Sequence, residues 1–165
     1  MYYFFSASLP EIRLGERPPM TLDEFDAEAE AQLTPRHYAW LVADDPRARV
    51  CGEMRRFEEF LRTRIAERRA EKLRRPADFP EPQAFYGGID EALDAAAALN
   101  PADRERAVDL LRWQMLDELT SGNDFDFDHI CAYRAKLRIA EKYRGRDAKA
   151  GRDLFDSAVR EMAKM

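Results

Sequence analysis

Residues 111–119 of the chain read LRWQMLDEL. This stretch places a large aromatic side chain, apolar residues at helical spacing and an acidic pair within about two and a half turns of an α-helix. The C-terminal third, residues 100–165, contains three amphipathic segments in succession, and none of them carries a recognisable reactive motif. The pattern predicts helices that pack against one another or against another protein.

The composition also favours helices. The chain has 165 residues, of which 45% are hydrophobic and 36% charged, with only seven glycines. Such a length suits one domain, or one domain with a short appended lobe. The net charge of −5 argues against nucleic acid as the main partner, because phosphate binding needs a positive field.

No apolar run approaches the roughly 20 residues that a membrane-spanning helix requires. The N-terminal stretch is apolar but lacks the basic region of a signal peptide. We therefore expect a soluble, cytoplasmic protein. Any association with the inner membrane would be peripheral and made through a partner.

Helix-start signals recur along the chain. Thr21 precedes an apolar helical pattern, and Glu24 three positions later completes a capping box. Thr34 and Asn100 each precede a proline, which starts a helix because proline fits the first helical position. Together with the long pattern over 47–74, these signals predict an all-α bundle of six to seven amphipathic helices.

Residues 76–88 interrupt the helical pattern with three prolines and a Gly-Gly pair. We expect a linker between an N-terminal helical lobe, residues 1–75, and a C-terminal lobe, residues 89–165, unless the two form one compact domain. Residues 1–10 are rich in Tyr and Phe, which favour a strand. No second convincing strand is available to pair with them, so a helix or an extended segment on the core is expected.

Four large side chains of the C-terminal segments are expected to organise the core: Trp113, Tyr133, Leu137 and Phe155. Phe155 belongs to the last predicted helix, residues 147–163, which follows a helix ending near Gly145. Residues of this size dominate helix packing because they bury the most apolar surface.

Candidate metal sites fail on spacing. Asp124, Asp126 and Asp128 alternate as in a calcium-binding EF loop, but His129 replaces the required glycine and Ala135 the required glutamate. A helix N-terminus capped by an aspartate explains the pattern better. The only two histidines and two cysteines have no ligand spacing, so we expect no metal and no cofactor.

Catalytic motifs are equally lacking in the sequence. No serine lies in a Gly-x-Ser-x-Gly elbow, and Gly87-Gly88 lacks the residues of a phosphate-binding loop. We therefore expect no enzymatic activity. Cys51 and Cys131 are interpreted as two buried thiols in a reducing cytosol, with a disulfide between them left open.

The predicted helix over 47–75 is rich in arginine, and three interpretations stay open. It is a solvated helix with intrahelical ion pairs, it packs antiparallel to the acidic helix 22–33, or it docks an acidic partner. We expect the exposed basic face to contain Arg55, Arg62, Arg69 and Arg75. Trp40 is the aromatic side chain that we expect to anchor a partner.

Several stretches resemble a known family. They are residues 2–10 (YYFFSASLP), residues 19–25 (PMTLDEF), Arg112-Trp113 with LDEL at 116–119, and residues 133–137 (YRAKL). The resemblance is to a small bacterial family without assigned activity, which is typically encoded among the genes of V-type (A/V-type) ATPases. It covers most of the chain, although its motifs are short.

The chain is also distantly similar to the C (or d) subunit of V-type ATPases. The similar stretches, in the same order, are Tyr2-Tyr3, residues 33–38 (LTPRHY) and residues 136–139 (KLRI). That resemblance implies an all-helical socket between the membrane rotor ring and the central stalk, without catalytic residues. This chain is about half the expected length, so it would not form the whole socket.

The resemblance implies a non-catalytic accessory or central-stalk component of a V-type ATPase, with stalk or membrane-ring subunits as partners. The alternative is an unrelated helical adaptor or an RNA-binding protein that uses the arginine-rich helix 47–75. RNA binding is the weaker variant, because few aromatic residues are interleaved with the arginines for base stacking.

Overall fold

A computed structural model of the protein describes residues 2–145, 156, 157 and 159–162. Within these residues the chain forms helices and no strand, so the all-α prediction is confirmed. Residues 156, 157 and 159–162 are also helical. The helices with defined ends are α1 (Tyr3–Ser8), α2 (Leu22–Gln32), α3 (Pro35–Val42), α4 (Arg49–Lys72), α5 (Ile89–Ala97), α6 (Pro101–Thr120) and α7 (Phe127–Glu141).

The helix starts follow the sequence signals. The Thr21 hydroxyl accepts a hydrogen bond from the Glu24 amide at 3.1 Å, and the Glu24 carboxylate accepts one from the Thr21 amide at 2.7 Å. Thr34 and Asn100 cap α3 and α6 with their side-chain oxygens. The N-terminal segment forms α1, so of the alternatives for residues 1–10 the helix is the one observed.

The larger hydrophobic cluster joins α1, α2, α3, α6 and α7 with the start of α4. Its most enclosed side chains are Phe25, Leu41, Leu116, Ile130 and Leu137. Each buried side chain of this kind contributes about 1.5–3 kcal/mol relative to an exposed one. This cluster therefore fixes α7 against both halves of the chain.

Three of the predicted core organisers, Trp113, Tyr133 and Leu137, are buried in this larger cluster. Phe155 lies outside the described residues, as does most of the predicted helix 147–163. None of the described helices is long and apolar enough to cross a membrane.

A smaller hydrophobic cluster joins α4 to α5 and α6 and contains Phe57, Phe60, Leu61, Ile89 and Leu93. Helix α4 takes part in both clusters and packs against α5, α6 and α7. Helices on the two sides of residues 76–88 therefore touch directly, and residues 76–88 themselves contain no helix. The division into two lobes stays a prediction.

Helices α3 and α4 end in the same way, with a residue in the left-handed region that is not glycine. Asp44 follows α3 with φ 49° and Arg74 follows α4 with φ 50°. In each case the next amide bonds back into the helix, from Asp45 to the Trp40 carbonyl at 2.9 Å and from Arg75 to the Ala70 carbonyl at 3.0 Å. This is the Schellman motif, which reverses the chain at a helix end.

The acidic helix α2 packs against α3 and α7. Its Asp26 carboxylate accepts two hydrogen bonds from the Arg134 guanidinium of α7, at 2.8 and 2.9 Å. The prediction that this helix lies along helix 47–75 is therefore wrong. Arg64 and Arg68 of α4 instead bind Asp90 of α5, because α5 follows the linker and packs on the same side of α4.

Candidate partner-binding site

A groove runs along the second half of α4 and has a volume of about 510 Å³. Its floor is apolar and its rim is basic. The apolar lining residues are Ile65, Ala66, Ala70, Leu73, Pro76 and Ala77. The basic rim consists of Arg62, Arg69 and Arg75, and we call the whole feature the basic groove.

The helix period and the α4 terminus bring the three rim arginines together. Arg62 and Arg69 are seven residues apart, which is close to two turns, so they share one face of α4. Arg75 lies beyond the helix, and the left-handed turn at Arg74 reverses the chain next to it. All three side chains are exposed. Within the described part of the chain, none of them forms an ion pair or a side-chain hydrogen bond.

The opposite edge of the basic groove is held by an internal ion pair. Arg112 of α6 donates to Glu58 of α4 from Nε and, at 3.2 Å, from Nη2. Both residues line the groove. Because their charges are already matched, the unmatched positive charge of the groove comes from its rim.

A second cavity of about 450 Å³ lies on the other side of the α4 terminus and shares Ile65, Arg69 and Leu73 with the basic groove. Its remaining cations include Arg68 and Arg104, which have structural partners. Arg68 binds Asp90 and Asp94, and Arg104 donates to two carbonyl groups at and just beyond the end of α5. The end of α4 is thus an apolar ridge, with Leu73 53% exposed and positive charge on both sides.

The structure therefore unites three of the four predicted basic residues. Arg55 is exposed but lines a different cavity, where its Nη2 donates to the Asp44 carbonyl at 3.1 Å. Leu73 does not continue the buried face of α4, because the helix stops at Lys72 and the chain turns away. We expected Arg75 on the face of Arg62 and Arg69, and it lines the groove with them because the chain reverses at Arg74, a turn that the sequence did not indicate.

A family match covers residues 63–165, more than half of the chain, and the family is described as "Protein of unknown function (DUF2764)". The chain belongs to this DUF2764 family. The matched segment includes Arg69 and Arg75 of the basic groove and helices α5, α6 and α7. No curated protein and no solved structure matches the chain.

Trp40 of this DUF2764 protein lies on α3 and does not line the basic groove. Its ring is half-buried, and the guanidinium carbons of Arg36 and Arg47 lie 5.0 and 5.2 Å from the ring centroid. Cation–π contacts of this kind hold both arginines beside the ring. Trp40 is thus a separate candidate anchor, on another part of the surface.

An exposed aromatic patch formed by Tyr3, Phe4 and Phe125 was not foreseen from the sequence. Phe4 is 87% exposed, and the Tyr3 ring lies 4.6 Å from the Phe125 ring and 5.7 Å from the Phe4 ring. Once residues 3–8 are known to be helical, only one side of the Tyr-Tyr-Phe-Phe run can face the core. The helical interpretation of residues 1–10 could therefore have found this patch.

The acidic stretch before α7 forms the helix cap that was expected. Asp126 accepts hydrogen bonds from the amides of Asp128 and His129 at 3.0 and 3.2 Å. The next residue, Phe127, stacks on His37 with ring centroids 4.3 Å apart. Among the described residues, no three His, Cys, Asp or Glu side chains converge as metal ligands would.

A buried carboxylate, Asp109, was not foreseen from the sequence. It is 0% exposed and accepts hydrogen bonds from Arg112 at 2.8 Å, Lys142 at 2.8 Å and the Tyr143 hydroxyl at 2.9 Å. Two cations and a hydroxyl compensate the loss of water around the carboxylate. This network connects α6 to the end of α7. Through its bond to Asp109, Arg112 is held at the edge of the basic groove.

Proposed function

We propose that this DUF2764 protein is a non-catalytic accessory or central-stalk component of a V-type ATPase, which acts through protein–protein contacts in assembly or rotor coupling. Two things support the proposal: the resemblance of residues 2–10, 19–25 and 133–137 to proteins encoded with such ATPases, and the basic groove. The groove is the single structural observation on which the choice of a binding function rests.

The basic groove has the properties of a protein-docking surface. An apolar floor gains free energy when a partner covers it, and arginine is enriched among the residues that dominate binding energy. Among the described residues, the rim arginines have no ion pair or side-chain hydrogen bond that must break before they pair with carboxylates. On a chain of net charge −5, a local positive surface selects and steers an acidic segment of a partner.

The rest of the fold suits a mechanical role. Helix α4 is held along its length by two hydrophobic clusters and by the pairs of Arg64 and Arg68 with Asp90. Packed helices deform little under load, since interiors are as dense as organic crystals. A partner bound at the basic groove would therefore be coupled to the whole bundle.

The test is co-purification of the tagged, full-length protein with the V-type ATPase subunits of its own source. We expect stalk or ring subunits to be recovered with the wild type and largely lost with Arg62→Glu/Arg69→Glu. The matched control is Arg17→Glu/Arg160→Glu, which makes the same charge change at exposed residues outside the groove. Recovery of no ATPase subunit by the folded wild type would refute the assignment.

Equal loss in the control and in the groove variant would instead refute the groove as the binding surface. The alternative function, RNA binding, is favoured by one observation, namely that free guanidinium groups also suit phosphates. Nuclease treatment separates the two. If the recovery of partners is lost after nuclease treatment and falls steeply with salt, the result would support RNA binding over binding to V-type ATPase subunits.

A further inference from the structure

A cavity of about 610 Å³ lies between the end of α3 and helices α4, α6 and α7, and the side chains of Cys51 and Cys131 line it together. Cys51 belongs to α4 and is partly exposed, whereas Cys131 belongs to α7 and is 3% exposed. Both are free thiols. The two cysteines of the chain, 80 positions apart in the sequence, thus line the same cavity between α4 and α7.

The start of α4 is held in place on both sides of Cys51. Arg49 donates to Asp128 at 2.8 Å and to the Leu119 carbonyl at 2.7 Å, which ties α4 to α6 and α7. At Gly52, an added Cβ would lie 2.8 Å from the Pro46 carbonyl oxygen. The backbone on either side of Cys51 therefore has little freedom, which keeps Cys51 on the wall of the cavity that it shares with Cys131.

The two thiols have different chemical environments. The hydrogen bond from Cys131 lowers the pKa of Cys51, and the positive charges of Arg138 and Arg134 act in the same direction, while burial and Asp44 oppose them. The same hydrogen bond and burial raise the pKa of Cys131. Cys51 is thus the better thiolate and the more exposed of the two, and Cys131 is the protonated, buried neighbour.

We propose that Cys51 and Cys131 form a reversible redox pair, in which a peroxide oxidises Cys51 and Cys131 then closes an intramolecular disulfide between α4 and α7. This is a modification site, and it does not depend on the proposed ATPase role. The position of both side chains on the wall of one cavity between α4 and α7 carries the inference, because a disulfide forms where two sulfur atoms can reach each other.

The two steps balance. The Cys51 thiolate attacks one oxygen of hydrogen peroxide, a sulfur–oxygen bond forms, the oxygen–oxygen bond breaks, and the leaving hydroxide takes up a proton to become water. The Cys131 sulfur then attacks the Cys51 sulfur, and hydroxide leaves with the Cys131 proton as a second water. Two thiols lose two electrons in total, and one peroxide gains them. A small dithiol reverses the reaction by exchange.

The disulfide would cross-link the chain around a long loop. That loop contains the remainder of α4, residues 76–88, α5, α6 and the start of α7. Closing a long loop restricts the unfolded chain more than the folded one. Oxidation is therefore expected to raise the midpoint temperature of unfolding of the wild type, and reduction to reverse the rise.

The experiment treats the reduced, desalted, full-length protein with hydrogen peroxide, then alkylates free thiols and measures the intact mass and the non-reduced peptide map. We expect the wild type to lose two hydrogens, to resist alkylation at both positions and to give one peptide pair joined through Cys51 and Cys131. Dithiothreitol should restore both alkylation sites. The peptide map uses the wild type, so this measurement does not depend on whether any variant folds.

The variants separate the two roles. In Cys131→Ala, peroxide should leave a sulfenic acid on Cys51 that dimedone traps, whereas Cys51→Ala should leave Cys131 unmodified. The proposal is overturned if the wild type yields only over-oxidised Cys51, only disulfide-linked dimers, or no reaction at either thiol. It is also overturned if oxidised glutathione stops at a stable mixed disulfide on Cys51, since a neighbouring Cys131 should displace the glutathione.

Discussion

Arg138 donates hydrogen bonds from both terminal nitrogens to the two carboxylate oxygens of Asp44, at 2.6 and 2.8 Å. Asp44 occupies the left-handed position after α3, where glycine is the usual residue. Arg74 occupies the equivalent position after α4, but within the described residues its side chain has no partner. The two sites share one backbone conformation and differ in what the side chain does.

We expect glycine to have unlike effects at these two sites. Arg74→Gly should raise the free energy of unfolding by about 0.5–1 kcal/mol, because relief of the left-handed strain exceeds the added entropy of the unfolded chain. Asp44→Gly should be about 1 kcal/mol less favourable than Arg74→Gly, since it also removes the pair with Arg138. Urea denaturation of both variants measures the difference. Equal stabilisation would show that the Arg138 pair is energetically neutral.

The buried Asp109 should be the most sensitive carboxylate of the described structure. Asp109→Ala leaves Arg112 and Lys142 with one fewer anion in a buried setting, and we expect a loss of about 3 kcal/mol. Asp117→Ala is the control, because Asp117 pairs with Lys136 while its own side chain is 57% exposed. The control should cost less than about 1 kcal/mol. Urea denaturation at neutral pH measures the loss in free energy of unfolding for each variant. Equal losses in the two variants would contradict the expectation.

The register of α1 can be tested with two neighbouring phenylalanines. Phe5 is buried in the larger hydrophobic cluster and stacks near Phe25, with ring centroids 5.9 Å apart. Phe5→Ala should therefore lower the free energy of unfolding by about 3–5 kcal/mol. Phe4→Ala should change it by less than about 0.5 kcal/mol, because Phe4 points to solvent. Thermal or urea unfolding measures both variants. A larger loss in free energy of unfolding for Phe4→Ala than for Phe5→Ala would exclude the α1 register in which Phe5 faces the core.

The two histidines should make stability depend on pH. Burial lowers the pKa of both His37 and His129, so the unfolded chain binds protons more readily than the folded one. The contribution of the two histidines to the free energy of unfolding is present above the ordinary histidine pKa of about 6.5. It is lost as the pH falls from there through the lowered pKa values of the folded state.

Nuclear magnetic resonance titration of the two rings, with urea denaturation at several pH values, measures this effect. The unfolding free energy should decline below about pH 6.5 in the wild type and decline less over the same range in His37→Gln/His129→Gln. At His37 the Tyr2 hydroxyl lies 2.6 Å from Nδ1, a contact in which a neutral imidazole nitrogen can accept. A ring that titrates above the ordinary value would contradict the burial argument.

The local features of the fold were predictable from the sequence. Thr21, Thr34 and Asn100 act as caps because a capping bond joins residues only two or three positions apart. The same holds for Asp126 before α7. The shared burial of Phe57 and Phe60 was also predictable, because a spacing of three positions marks a shared helix face.

The features that depend on tertiary contacts were not predictable. Asp109 meets Lys142 across 33 positions, and nothing near Asp109 in the sequence marks it as buried. The approach of Cys51 to Cys131 likewise depends on how α4 lies against α7. For the basic groove, we expected Arg62, Arg69 and Arg75 on one face, but the turn that brings Arg75 there follows a left-handed arginine, which no propensity rule predicts.

Helix α4 belongs to both hydrophobic clusters, while residues 76–88 contribute no helix to either. We therefore expect the contacts of α4 to hold the two sides of the chain together even without the covalent connection after it. If a protease cleaved the chain within that segment, the two fragments should stay associated through α4. They should co-elute as one species until denaturant separates them.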